Sequence, residues 1–478
     1  MSEPDAGTAP RDCAMAPTGW VVVTLLAAQF MTTLDTSIVN VALPDMQRDL
    51  GMTGAGVQSV VTAYLLVLGG FLLLSGRLSD LLDARRLLRV GLIVFAVASA
   101  VGGLAWSPVV LIAARGGQGL GAALLTSTAL ALITRLFTAL TPRRRMLSRW
   151  SATGSIGFAC GAILGGVLVQ WLSWRAVLLV NVPLCAVAAI GTLRMSVATT
   201  PSGAARRGLR GVGIGGAVLA TSAASAWMFA LSWGPTYGWT SPGTWAAVAA
   251  GVGLTVMFVL GERRSRDPLV PARLFAVPGV IAANVVMLAF GIAATSGVWL
   301  VISLFLQRVA HYSPLRTGMA FLPLALIAAA AAPAGPWLQR RYSTRTLLIA
   351  GLVVVSIGLG LLSRLQPSSG YVTGLLPGML CVGGGFVLVL LTTVAVATVN
   401  APEHQRGVAS GLVNTTAQFA GALGAALYLT VARASDGLNA LLPFTLAAVL
   451  LGGTALLTAW RFPMVTRRPR PAALEGNG

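Results

Sequence analysis

Two ionisable side chains stand inside long apolar stretches of this chain, Asp35 and Arg115. A charge buried in a bilayer-length apolar segment is costly, and residues that carry one mark proton relays, ion paths or buried pairs. Asp35 falls late in the first apolar run and Arg115 early in the fourth. Successive spans alternate in direction, so the two side chains reach about the same depth. At that depth they either form a static ion pair, costly by about 3–5 kcal/mol to break, or Asp35 exchanges a proton while Arg115 holds the local potential. Burial disfavours a charged carboxylate and a neighbouring guanidinium favours it, so movement between two states would toggle proton affinity. His311 and His404 both fall between apolar runs, where a solvated histidine is the plainer reading, and Asp35 is the proton candidate by elimination.

A second set of residues bears on movement. The segment from Gly76 to Arg86 joins the second and third runs as a basic turn, in which Gly76 would permit close helix approach. Asp80 would face a helix N-terminus or the local arginines, Arg85 among them. The fifth run carries Gly154, Gly157, Gly161, Gly165 and Gly166, a small-residue face suited to tight packing or bending.

The elements that hold these residues follow from composition. The chain has 478 residues, 56% hydrophobic and only 10% charged, against roughly 25% charged in a soluble domain. Apolar runs of about 20 residues, enough to cross a bilayer as helices, fall near 19–41, 57–75, 88–106, 108–134, 147–170, 174–194, 212–233, 243–261, 278–306, 314–338, 345–365, 371–399, 406–432 and 440–460. That predicts an all-α polytopic membrane protein with fourteen spans and both tails on one side. Every basic residue is arginine. Without lysine, a phosphate-binding G-x-x-x-x-G-K-[ST] loop is excluded, as is Schiff-base chemistry. The net charge of +20 would suit nucleic acid, but its placement is topological. Apart from Arg115, only Arg48, Arg175, Arg308, Arg316, Arg364 and Arg433 fall on the side opposite the tails. The positive-inside rule then places both termini in the cytoplasm, and Asp35 and Arg115 in the outer half of the membrane. A basic n-region is missing, since Glu3, Asp5 and Asp12 outnumber Arg11 before the first run. Cys13, Cys160, Cys185 and Cys381 lack metal-ligand spacing. A weak repeat relates Gly76 to Gly335 and Gly161 to Gly421, at offsets of 259 and 260 residues. The division this predicts is a tail at 1–18, a six-helix bundle at 19–194, a linker and two-helix insert at 195–277, a second bundle at 278–460 and a tail at 461–478.

Several motifs together resemble the major facilitator superfamily, and within it the 14-helix drug:proton antiporter family of the EmrB/QacA type, over about 20–460. Helix 1 reads Leu34-Asp35-Thr36-Ser37-Ile38-Val39-Asn40-Val41-Ala42-Leu43-Pro44, and helix 4 reads Arg115-Gly116-Gly117-Gln118-Gly119. Trp174-Arg175 with Asn181-Val182-Pro183 is similar to the family's sixth-helix entry. Gly234-Pro235-Thr236-Tyr237-Gly238-Trp239, Ser313-Pro314-Leu315-Arg316-Thr317-Gly318 and Gly407-Val408-Ala409-Ser410-Gly411-Leu412, followed by Asn414 and Gln418, match as well. The chain departs from the pattern at Asp83 and Ala84 in the helix 2–3 segment, and at Ala162, where the helix 5 motif carries proline.

The resemblance implies two six-helix bundles plus a two-helix insert, with alternating access around a cavity lined by helices 1, 4, 9 and 12. It implies Asp35 and Arg115 as the proton-coupling pair. Gly76, Asp80, Arg85, Gly157, Gly161, Gly165 and Gly166 become gating residues. Asn40, Gln118, Thr126, Thr128, Asn284, Ser303, Thr392 and Thr393 are the polar cavity candidates, with Trp299 to stack on substrate. Some relatives carry further membrane acids that recognise divalent cations. Helix 10 has none, which points to neutral, zwitterionic or singly charged amphiphiles. The expected activity is proton-coupled export of an amphipathic small molecule such as a drug or antibiotic, by a monomer in a bacterial cytoplasmic membrane. Neither cofactor nor metal nor nucleic acid takes part. Proton symport or export of an endogenous metabolite such as a siderophore is the alternative, and a non-transporting receptor a weaker one. Membrane enzyme chemistry finds no metal cluster or activated nucleophile.

Overall fold

The computed structural model describes residues 19–137, 140–193, 214–265, 268, 272–277, 279–366, 368–399, 406–434 and 442–461. The expected tails, most of the linker, Cys13 and His404 lie outside the described residues. Fourteen long helical spans run through the rest. They are α1 Gly19–Asp49, α2 Gly54–Leu81, α3 Ala84–Gly103, α4 Pro108–Leu136, α5 Leu140–Trp171, α6 Trp174–Leu193 and α7 Ile214–Tyr237. Then follow α8 Pro242–Arg264, α9 Val280–Val309, α10 Pro314–Arg341, α11 Thr344–Leu362, α12 Tyr371–Val399, α13 Arg406–Ala434 and α14 Leu442–Arg461. Ten of these segments are long and apolar enough to cross a membrane, and α2 and α7 hold shorter apolar stretches. With 28 and 29 residues at about 1.5 Å per residue, α10 and α13 also exceed a hydrocarbon core of roughly 30 Å.

Local sequence sets the helix starts. Ser107, Ser241 and Ser313 each cap a helix through the side-chain oxygen and are each followed by proline, which has no amide hydrogen to leave unpaired in the first turn. Thr53 and Ser343 cap α2 and α11 in the same manner. The turn between α2 and α3 is shorter than expected. Gly76 and Asp80 are helical, because α2 continues to Leu81, and it is Asp83 that caps α3 by accepting from the Arg85 and Arg86 amides. Gly76 is also not a close-approach position, since a methyl group there would meet nothing within 4 Å.

Two apolar cores organise the helices. One is built almost wholly from α1–α6, around Leu25, Ile38, Tyr64, Phe95 and Leu178. The other draws on α9–α14, around Phe290, Leu352, Leu359, Met379 and Phe444. Between the two, α5 packs on α10 and α2 on α13, while α7 and α8 pair with each other and α7 leans on α2 and α13. Of the weak repeat, Gly76 and Gly335 do not match, since Gly335 meets the Leu391 side chain and Gly76 meets nothing, but the glycine-rich helices make similar contacts. Gly161 and Gly165 of α5 press on the Leu34 and Ile38 carbonyls of α1, and Gly424 of α13 presses on the Ile292 carbonyl of α9. Large apolar side chains such as Ile93, Val97, Val187 and Val252 are left exposed on the outer helix faces, as in a protein whose solvent is lipid.

Candidate functional site

Asp35 is fully buried, and its carboxylate is the hub of a polar cluster drawn from five helices. Arg115 of α4 donates through Nη1 to Oδ2 at 2.6 Å. Gln118, one turn further along α4, donates to Oδ1 at 3.0 Å, and Asn181 of α6 donates to the same oxygen at 2.8 Å. The guanidinium is held in turn. Its Nη1 also reaches Gln118 Oε1 at 2.7 Å, its Nε reaches the Val60 carbonyl at 3.3 Å, and its plane lies over the Tyr64 ring at 4.4 Å. Gln118 Nε2 also donates to Ser99 Oγ at 2.8 Å, and Ser99 donates to the Phe95 carbonyl.

Local sequence builds this hub. Gly119 and Gly121 let α4 lie against the backbones of α2 at Tyr64 and α3 at Phe95. Pro183 cannot donate to the Leu179 carbonyl, and α6 is interrupted at Val180, just before Asn181. The arrangement is a compensated ion pair in a fully buried site. Removing either partner would strand a charge at a cost of about 3–5 kcal/mol.

A second arrangement joins α1 to α9 and α5 to α10 at one end of the molecule. Pro44 lies inside α1 and has no N–H for the carbonyl of Asn40, four residues earlier. Ser303 of α9 supplies the missing bond, with Oγ donating to that carbonyl at 2.8 Å. Gln307, one turn on, donates to the Val41 carbonyl at 3.1 Å and to Ser303 Oγ at 3.2 Å, and Arg308 reaches Gln47. The seam continues where Gly166 of α5 meets the Leu315 backbone of α10 and Gly318 meets the Ala162 carbonyl. Phe158, Trp299 and Phe321 pack as tilted rings across α5, α9 and α10, with centroids 4.8 and 5.3 Å apart.

The expected residues therefore fall into distinct places. Asp35 and Arg115 come together with Gln118, which sits in the charged hub and not on an open cavity wall. Gly157, Gly161 and Gly165 fit α5 to α1, and Gly166 fits α5 to α10. Arg85 is partly buried at the start of α3, and the side chain of Asp80 lies outside the described residues. Ser303 is buried in the seam, with Asn40 and Trp299 beside it. Thr392 and Thr393 are buried, their hydroxyls turned back onto the Leu388 and Val389 carbonyls. Thr126 is half-buried on α4 and Thr128 fully buried. Asn284 lines an open, mainly apolar cavity of about 540 Å³ with Ile281, Val285, Leu288, Thr416 and Phe419, and accepts from Thr416 Oγ1 at 2.7 Å. The volume suits a drug-sized molecule. Ser99, Tyr64 and Gln307 also belong to these arrangements without having been singled out in the sequence, and Asn181 was noted there only within a motif, with no role at Asp35. For Asn181 the signal was at hand, in a polar residue two positions before a proline inside an apolar run.

Two packed helical cores, a hydrogen-bonded seam at one end and a charge pair buried between helices are the architecture of a membrane transporter. A family model described as the Major Facilitator Superfamily matches residues 25–425, and the chain belongs to that superfamily. It is a multi-pass membrane transporter and not an enzyme. It is 40% identical over 416 residues to the "Cephamycin export protein CmcT" of Amycolatopsis lactamdurans, covering 86% of this chain and 84% of that one. It is 38% identical to the "Puromycin resistance protein pur8" of Streptomyces alboniger, covering 86% and 81%. The fold is similar to that of the POT family transporter PepTSo, with a TM-score of 0.68 at 14% identity, covering 92% of this chain and 97% of that one.

Proposed function

We propose that this protein exports amphipathic small molecules, antibiotics among them, in exchange for protons that Asp35 carries. The observation that carries the reading is the fully buried Asp35 carboxylate, bound by Arg115, Gln118 and Asn181. A purely structural pair offers no net stability over apolar residues, whereas a carrier needs a dry site in which one proton changes the balance of charge. The relatives named for cephamycin export and puromycin resistance supply the substrate class.

In this reading the bundles at 19–194 and 278–460 rock about the central site, with the insert within 195–277 beside them, and the unit is a monomer. Both termini lie in the bacterial cytoplasm in this reading, which the arginine excess on their side supports, and the Ser303 seam then lies on the outer face. The described conformation is then closed outward, and substrate enters from the cytoplasmic side along the apolar wall of α9 and α13 at Asn284. When the seam opens, a proton reaches Asp35 and neutralises it. Arg115 then faces a neutral carboxyl in place of a carboxylate, with its bonds to Gln118 and Val60 and its contact with the Tyr64 ring kept, and the balance between closed and open states shifts. Asn40 and Trp299 border the exit path. Cofactors and metal ions have no part in this cycle.

Inverted membrane vesicles test the reading. With an inward proton gradient monitored by a pH-sensitive dye, adding puromycin or a cephamycin should dissipate the gradient in vesicles that contain the protein. Substrate accumulation without proton movement would overturn antiport, and dissipation only with a non-antibiotic metabolite would overturn the substrate class.

A further inference from the structure

Two of the three side chains that bond Asp35 are pinned by other partners. Arg115 also bonds the Val60 carbonyl and Gln118 Oε1, while Gln118 uses its carbonyl for Arg115 and its amide nitrogen for Asp35 and Ser99. Asn181 is different. It is fully buried, its Nδ2 donates to Asp35 Oδ1, and its own Oδ1 has no hydrogen-bond partner. Buried acceptors are seldom left in that condition. A carboxylate oxygen only accepts, so an ionised Asp35 requires the nitrogen end of the Asn181 amide. A protonated Asp35 has one hydroxyl to donate and requires the oxygen end instead.

We propose that Asn181 is a positioning residue that keeps Asp35 buried in both protonation states by turning its amide end for end as the proton arrives. The inference rests on Asp35 being the proton carrier. The proton adds to Asp35 Oδ1, since Oδ2 is held by Arg115. One O–H bond forms and no covalent bond breaks. A half-turn of the Asn181 amide about its Cβ–Cγ bond then brings Oδ1 to accept from the new hydroxyl. Gln118 cannot make the same turn without giving up its bonds to Arg115 and Ser99. Each orientation of Asn181 leaves one end of the amide unpaired. Neither orientation satisfies the whole amide, and the proton on Asp35 decides between them.

Infrared difference spectroscopy between high and low pH tests this on the full-length protein in lipid bilayers, with asparagine side chains labelled with nitrogen-15. The expected result is an asparagine amide band that shifts in step with the rise of a protonated carboxyl band. In Asn181→Leu the amide response should vanish while the carboxyl band remains. Because both protonation states lose one bond, its midpoint should then move by less than about threefold in proton affinity. A fixed donor predicts an unresponsive amide and a proton affinity raised about tenfold or more in Asn181→Leu, because only the charged form loses a bond; that result would overturn the proposal. The labelled native protein decides the amide question even where Asn181→Leu fails to accumulate. A carboxyl band that persists in Asp35→Asn removes the proton-carrier reading itself. A responsive carboxyl at Asp35 beside a silent amide removes only the amide turn.

Discussion

Replacing Ser303 by alanine probes the seam where it is thinnest. The Asn40 carbonyl has no partner from Pro44, and Ser303 Oγ, 2.8 Å away and fully buried, takes that place. Ser303→Ala leaves a carbonyl unpaired in the closed state, while in the open state water reaches it in both proteins. The penalty therefore falls on one conformation only. Leaving one buried acceptor unsatisfied costs about 1–3 kcal/mol, which is about 5- to 150-fold in the ratio of open to closed. Gln307 already points at Ser303 Oγ from 3.2 Å and can turn part-way toward the orphan, which favours the lower end. The assay is labelling of Val41→Cys, a seam position only 1% exposed, by a membrane-impermeant maleimide in a protein stripped of its native cysteines. Labelling should speed up by about 5-fold or more in Ser303→Ala and stay unchanged in Ser303→Thr, which keeps the hydroxyl. Equal labelling of Ser303→Ala and the parent, with both folded, would refute the assignment of that bond to the closed state.

Other positions give contrasting expectations. Gly161→Val places methyl groups where even a Cβ lies 2.6 Å from the Leu34 carbonyl. It should destabilise the α1–α5 contact by about 1–3 kcal/mol, lowering the melting temperature and abolishing efflux. Gly76→Ala meets nothing within 4 Å in a helix, so transport and melting temperature should match or slightly exceed the parent values. Asp49 accepts from Trp174 Nε1 at 2.9 Å and from Arg175 at 2.6 Å, but the ion-paired side chains are 47% and 37% exposed. Asp49→Asn should therefore leave the melting temperature in detergent close to the parent's.

Hydropathy locates spans well because a bilayer rewards apolar length, and α4, α6 and α12 begin where the apolar runs do. It locates helix ends poorly because helices continue past the membrane. α1 runs eight residues beyond the expected 41, through Pro44 to Asp49, and α5 begins at Leu140 in an arginine-rich stretch that hydropathy reads as a loop. The Asp35–Arg115 pair was legible from scarcity and depth, since charges in spans are few enough to match by position. Ser99 was not, because uncharged polar residues are common in spans and only packing decides which of them reach a charge; Asn181 stood in a recognisable motif, but its bond to Asp35 did not follow from it. Thr392 and Thr393 show the converse. Their helix was expected to line a cavity, but a helix has several faces, and hydropathy does not say which face a threonine occupies. Ser303 owes its role to a carbonyl freed by Pro44, a relation between two chain segments more than 250 residues apart.

The central claim is that Asp35 couples proton movement to export. Its most direct test is purified protein in liposomes, native and Asp35→Asn, carrying a transported antibiotic and a pH indicator. The account predicts that both proteins bind the drug, that the native chain drives it uphill on an imposed proton gradient, and that Asp35→Asn moves neither protons nor drug against a gradient. Uphill, gradient-driven transport by Asp35→Asn at the native rate would contradict it.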